Sequence, residues 1–174
     1  MTAILPHRAG RIILRRFARD DLAAFQAYRH DPHVGQYQSW TAQSDQDALH
    51  FIDAVAAAPL FTPGEWSQIA VACRDGALIG DIGVCIDAAS EMAELGVSLS
   101  LAAQGGGLAH DACQAACALI FAHTPVLRIV AISDVRNEAA HALALRLGFV
   151  YQETTETVED GEAFVEKVFH LARP

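Results

Sequence analysis

Val97-Ser98-Leu99-Ser100-Leu101-Ala102-Ala103-Gln104-Gly105-Gly106-Gly107-Leu108-Ala109-His110 is the stretch that decides how this chain is read. Alternating apolar and polar residues give way to three successive glycines and then to an Ala-rich segment, so the letters spell strand, glycine cluster, helix. Glycines let the backbone turn its N–H groups toward one point at a helix start. With the positive end of the helix dipole they form an anion site suited to a pyrophosphate. A Cβ there would collide with the phosphates. A Walker A loop needs Gly-Lys-Ser/Thr after the glycines, and Leu108-Ala109-His110 follows instead. A dinucleotide fingerprint needs Gly or Ala at His110, inside a βαβ unit. A flexible helix-start turn without a ligand is the lesser alternative on the glycines alone.

The flanking sequence places this motif. Upstream, Trp66–Arg74, the turn Asp75-Gly76 and Ala77–Asp87 read as a hairpin, and Met92–Leu101 continues it as a third antiparallel strand. In that hairpin Cys73 is expected opposite Leu78, and Cys85 opposite Trp66. Arg11–Phe17 reads as an edge strand. A helix opens at Asp20-Asp21, with Leu22, Phe25 and Tyr28 on one side, and ends at Asp31-Pro32. His33–Trp40 is an aromatic loop, and Asp45–Ala58 a second helix. Downstream, Leu108–His123 is an amphipathic helix broken by Pro125. Val126–Ile132 is an apolar run expected to be buried on both faces. Asn137 opens a helix stopped at Gly148. Phe149–Thr157 and Ala163–Leu171 form a closing hairpin around Glu159-Asp160-Gly161-Glu162. The order β-α-α-β-β-β-α-β-α-β-β predicts a mixed α/β (α+β) domain spanning 1–174, not a doubly wound sheet.

Composition bounds what such a domain does. The 174 residues are 52% hydrophobic and 19% charged, with a mean hydropathy of +0.22, which suits one proper core and excludes a disordered chain. No apolar run approaches the ~18 residues of a membrane span. Met1–Arg11 lacks the apolar stretch of a secretory signal, so a cytoplasmic protein is expected. Twelve Lys+Arg against 21 Asp+Glu leave a net charge of −9, which argues against nucleic acid or an anionic membrane as partner and favours cationic small molecules or basic peptides. The four cysteines are read as small hydrophobes in a reducing compartment. Cys113 and Cys117 share a helix face, but nothing completes a metal site, so no metal is expected.

Gln104-Gly105-Gly106-Gly107-Leu108-Ala109 resembles the Q/R-G-x-G-x-G/A signature of the GNAT N-acetyltransferase superfamily. The resemblance covers nearly the whole chain. Ala93–Leu99 looks like the family's fourth strand, and Asn137–Phe149 is similar to its N-x-x-A/S…L-G-F segment. The opening L-R-R-F…D-D-L and D-P-H-V…W resemble the subgroup that includes ribosomal-protein serine/alanine N-terminal acetyltransferases. The resemblance implies a mostly antiparallel central sheet flanked by helices and splayed between its fourth and fifth strands.

It also implies roles for residues. Backbone amides of Gln104, Gly105, Gly106, Gly107, Leu108 and Ala109 would hold the acetyl-CoA pyrophosphate, and the backbone at Val97 and Leu99 would pair with the pantetheine arm. Asn137 would approach that arm, or simply cap its helix. Glu94 matches a strand glutamate that would take a proton from the amine, although a solvated strand Glu is the plainer reading. A main-chain N–H near Val97 or Ser98 would polarise the thioester oxygen. Family members often carry a Tyr at the position of Ala144, and the subgroup often a Ser at Ala140; with both hydroxyls missing, Ser98 or water would protonate the leaving thiolate. Tyr37 and Trp40 match aromatic positions that wall the acceptor cleft. His110 and His141 are read as helix-surface residues. The acidic run Glu153, Glu156, Glu159, Asp160 and Glu162 is a solvated face or a border for a cationic acceptor. The implied function is acetyl transfer from acetyl-CoA to a primary amine, foremost a protein or peptide N-terminus. A polyamine or aminoglycoside is the alternative acceptor, a non-catalytic acyl-CoA-binding module the alternative class, and a homodimer a possible assembly.

Overall fold

The computed structural model describes residues 3–159 and 161–174. Eight strands form one sheet: β1 (His7–Ala9), β2 (Ile12–Arg15), β3 (Trp66–Cys73), β4 (Leu78–Ile86), β5 (Met92–Leu99), β6 (Arg128–Asp134), β7 (Val150–Glu159) and β8 (Glu162–Ala172). The helices are α1 (Leu22–Arg29), α2 (Pro32–Gly35), α3 (Asp45–Ala57), α4 (Leu108–His123) and α5 (Glu138–Arg146). Strand order is β1-β2-β3-β4-β5-β6-β8-β7. Every pairing is antiparallel except β5 with β6, whose parallel connection requires the crossover that α4 supplies. The expected mixed α/β architecture is what the chain adopts.

The ladder between β5 and β6 is short. It joins Met92 to Arg128, Ala93 to Ile129 and Glu94 to Val130, and goes no further. On its other side β5 stays paired with β4 up to Gly80–Leu99, and β6 stays paired with β8 up to Asp134–Glu166. Beyond Glu94 and Val130 the sheet therefore divides into two arms, and the splay the resemblance implied is present.

Two cores lie on the two faces. α4 buries Ala112, Cys113, Ala115, Ala116, Cys117, Leu119 and Ile120 against Ile69, Val71, Ile82, Val84, Leu95 and Ile129. Its alanines let the helix lie close to the sheet. Burial pushes both of its thiols well up, Cys117 to about 12, so neither is a reactive thiolate. Cys73 and Cys85 are only partly buried. On the other face α1 and α3 pack Phe25, Tyr28, Ala48 and Ile52 with Phe17 and Ala70.

Several sequence expectations need correction. Arg11–Phe17 is not at the edge, because β1 turns at Gly10 (φ +56°) and pairs along β2; three residues, mostly polar, carry too little strand signal to be read alone. His33–Trp40 is not loop throughout: α2 begins at Pro32, with the Asp31 carboxylate accepting from the His33 N–H at 2.9 Å. Leu78 pairs with Ala72 and not with Cys73, since a bulge near the turn shifts the register by one; Trp66 does pair with Cys85. The third meander strand stops at Leu99, and Leu101–Ala103 is a 3-10 turn. The 126–132 run is not buried throughout: Val126, Ile129 and Val130 are buried, whereas Leu127 is 60% exposed and Ile132, where the neighbouring strand has diverged, is 38% exposed. His141 is buried: its Nε2 lies 3.1 Å from the Asp134 carbonyl and its ring packs on Phe169. Asp160 lies outside the described residues. No helix among the described residues is long and apolar enough to cross a membrane.

Candidate active site

The glycine loop is built as its composition demands. Gly105 and Gly107 have φ of +79° and +83°, in the left-handed region that side chains disfavour. Gly107 precedes α4, whose first internal bond runs from the Asp111 N–H to the Gly107 carbonyl at 3.1 Å. The N–H groups of Leu108, Ala109 and His110 are therefore the free donors of a sixteen-residue helix start. A Cβ at Gly105 or Gly106 would meet nothing within 4 Å, so the space above the loop is open. Gln104 does not face that space: its Nε2 donates to the Leu99 carbonyl at 3.0 Å and ties the loop to the end of β5. Leu108 and Ala109 pack partly into the core.

Between the two arms lies a cleft of about 660 Å³. Strand alternation distributes the wall of β5. Glu94, Gly96 and Ser98 share one face, while Leu95, Val97 and Leu99 belong to the core packed on α4. Opposite stand Ala131, Ile132, Ser133 and Asp134 of β6, with Asn137 at the cap of α5 and Ala140 and Ala144 along it. Asn137 caps that helix, its Oδ1 accepting from the Ala140 N–H at 3.1 Å, which leaves its amide N–H groups to face the cleft. Neither alanine offers a hydroxyl, as the sequence indicated.

Glu94 sits at the vertex, paired across to Val130 where the arms part. Burial, and then the negative charge of Glu166 from β8, push its carboxyl above the usual glutamate range. Asp134, on the opposite wall, behaves oppositely. Arg136 grips its carboxylate through Nε and Nη2 at 2.8 and 2.7 Å and holds it at about 2. The Arg136 guanidinium also lies 5.5 Å from the Tyr37 ring, which joins the 36–40 loop to the far arm. Trp40 reaches the floor, where its Nε1 donates to Ser98 Oγ at 3.3 Å.

Beneath Trp40 is a buried ion pair that sequence reasoning missed. Arg29 of α1 donates from Nη2 to Asp81 of β4 at 2.9 Å, Tyr28 donates its hydroxyl to the same carboxylate oxygen, and the guanidinium stacks 4.3 Å from the Trp40 ring. Asp81 lies directly across from Ser98 in the ladder. Two signals were available: a lone aspartate within the apolar run G-D-I-G-V of a central strand, and an arginine beside Tyr28 on the apolar side of an amphipathic helix. A buried charge needs a partner. Glu166 was missed for a different reason, since only the β6–β8 register brings it to the cleft.

Glu94, Val97, Ser98, Asn137, Tyr37 and Trp40 are thus brought to one cleft. Gln104–Ala109 are not on its wall and form a separate station past the end of β5. His110 stays on the surface of α4, 3.9 Å from Asp111. The described acidic residues Glu153, Glu156 and Glu162 are exposed.

The family model described as an acetyltransferase (GNAT) domain matches residues 11–150. Among solved structures, a GNAT-family acetyltransferase from Bacillus anthracis superposes with a TM-score of 0.83 at 19% identity, covering 95% of this chain and 96% of that one. The RimL ribosomal-protein alpha-N-acetyltransferase in complex with coenzyme A gives 0.81 at 17%, covering 96% and 97%. A microcin self-immunity acetyltransferase in complex with acetyl-CoA and AMP gives 0.81 at 17%, covering 98% and 100%. At these identities the likeness concerns the fold. No curated protein matches the sequence at a significant level. The family match over most of the length, with a sheet that parts beside a glycine-lined helix start, places the chain in the GNAT acetyltransferase family, the acyltransferases that depend on acetyl-CoA.

Proposed function

We propose that this protein moves an acetyl group from acetyl-CoA to a primary amine at a protein or peptide N-terminus. The observation that carries the proposal is the parting of β5 and β6 at Glu94, which sets a carboxylate without a cation partner among the described residues at the head of an open strand edge. Likeness to a ribosomal-protein alpha-N-acetyltransferase and the net charge of −9 support a cationic peptide end as acceptor.

The residues divide the work. N–H groups of the 105–109 segment take the diphosphate, the Gln104 N–H donating instead to the Leu101 carbonyl at 3.2 Å, and the open edge of β5 at Val97 and Leu99 receives the pantetheine as a further strand. Asn137 donates from its free amide. An alkyl ammonium must lose a proton before it attacks, and Glu94 accepts it, directly or through water. The amine nitrogen then bonds to the thioester carbon and the C–S bond breaks, while a main-chain N–H at Val97 or Ser98 faces the carbonyl oxygen. Ser98 already accepts a hydrogen bond from Trp40, so its own hydroxyl is free to hydrogen-bond the departing thiolate, which takes the second proton of the amine nitrogen as the amide forms, relayed by that hydroxyl or by water.

The test is an acceptor panel of N-terminal peptides, polyamines and aminoglycosides, read by thiol release and product mass. Acetylated peptide is the expected product. Acetylation of polyamine or aminoglycoside alone replaces the acceptor, and binding without turnover reassigns the chain as an acyl-CoA-binding module. Acetyl-CoA at a hundredfold excess over Kd should stabilise the fold by about 2.7 kcal/mol, or roughly 5–10 °C.

A further inference from the structure

The first hairpin reaches the glycine loop from the opposite end of the chain. Arg11 follows the Gly10 turn, its Nη1 donating to the Gly106 carbonyl at 2.8 Å and its Nε to the Asp111 carboxylate at 2.9 Å. Arg74 donates to the Gly10 carbonyl at 2.9 Å and steadies that turn. A Cβ built on Gly107 would stand 3.1 Å from Nη2 of Arg11, so this nitrogen overlies the residue that opens α4. The Arg11 side chain is 54% exposed. A guanidinium has five N–H groups; two are engaged, and both on Nη2 remain free beside the loop.

Among the described residues no other Arg or Lys side chain bonds to the loop. The family signature admits Arg at its first position, where this chain has Gln104, and that side chain turns back to Leu99. We propose that Arg11 is a phosphate-binding residue: its free Nη2 and the loop N–H groups hold the diphosphate of the acyl carrier between them, and it supplies the charge absent at position 104. This rests on the loop being the carrier's diphosphate site. A charge-assisted bond from a planar guanidinium is stronger and more directional than an amide dipole alone. Asp111 plays two parts. It orients Arg11 and favours the helix start, yet its own charge lies near the phosphates and repels them.

That conflict separates a direct contact from a mere tether. Calorimetric titration of acetyl-CoA into wild type, Arg11→Gln and Asp111→Asn, at low and high salt, reads it out. Arg11→Gln should weaken binding roughly 10–100-fold and flatten the loss of affinity with ionic strength, since a screened charge contact has gone. Asp111→Asn should bind as well as wild type or more tightly. Wild-type affinity in Arg11→Gln, or equal weakening in both variants with an unchanged salt dependence, would overturn the proposal and leave Arg11 a loop tether. Failure of wild type to bind acetyl-CoA would instead remove the carrier site itself.

Discussion

The two ends of the site are made of different materials. The proposed carrier end is backbone: glycines at positive φ, free N–H groups at the start of α4, and an unpaired strand edge. The proposed acceptor end is side chain, assembled from α1, the 36–40 loop, β4, β5, β6 and β8, and resting on the buried Arg29–Asp81 pair. A backbone site is specified by the residues that form it. A side-chain site is specified by whatever the fold delivers to it. The first tolerates changes around it, and the second is coupled to the stability of the whole domain.

That contrast can be broken or sharpened by four substitutions. The largest effect is expected for Asp81→Ala, which strands the Arg29 charge between Tyr28 and Trp40. It should cost about 3–5 kcal/mol in chemical denaturation, while acetyl-CoA still stabilises what remains folded. A loss under about 1 kcal/mol would show that the pair is not structural. Glu94→Gln comes next, lowering kcat about 10²–10³-fold with carrier affinity unchanged.

Its pH behaviour has a definite sign. Because the carboxyl is raised and must be ionised to accept a proton, wild-type kcat/KM should fall on acidification at a pH above the ordinary glutamate range, and the variant should lose that limb. The raised carboxyl also stabilises the fold only when protonated, an advantage lost as pH rises through its folded-state value. The Gln variant should therefore be the more stable protein at neutral pH and lose that gain in acid. Equal stability curves would remove both the burial and the Glu166 repulsion from the account.

Gly107→Glu, at the carrier end, should weaken acetyl-CoA about 100-fold, or ~2.7 kcal/mol. It forces a side chain into a left-handed conformation and presses on Arg11, and it puts a carboxylate at the proposed diphosphate site. The smallest effect is expected at the acceptor end. A Cβ at Gly96 meets nothing within 4 Å and projects from the Glu94–Ser98 face of the cleft. Gly96→Val should raise the acceptor KM about tenfold and leave carrier binding within twofold. Equal losses for both ligands would erase the distinction between the ends.

The hairpin around Asp75-Gly76, the helix opened by Asn137 and the loop at Gly105–Gly107 were legible because each is a local matter. Turn chemistry, capping and positive φ are satisfied within a few residues. The family resemblance then ordered those pieces and anticipated the splay. Tyr28, Arg29 and Asp81 were illegible as a group, since 52 residues separate Arg29 from Asp81 and neither position announces its partner. Arg11 escaped for the same reason, lying 95 residues from the carbonyl it holds. His141 was misplaced because a polar residue on a short helix was assigned to water, whereas β8 carries Phe169 over it.

By itself, then, the order of residues determined most of the elements, the mixed α/β class and the backbone cradle before α4, because dihedral preference and hydrophobic period act over one turn or one strand. Only the folded sheet decided where β5 leaves β6, and with it which carboxylate stands at the vertex. Strand register and long-range ion pairs settle that choice, and they exist only once distant segments are packed together.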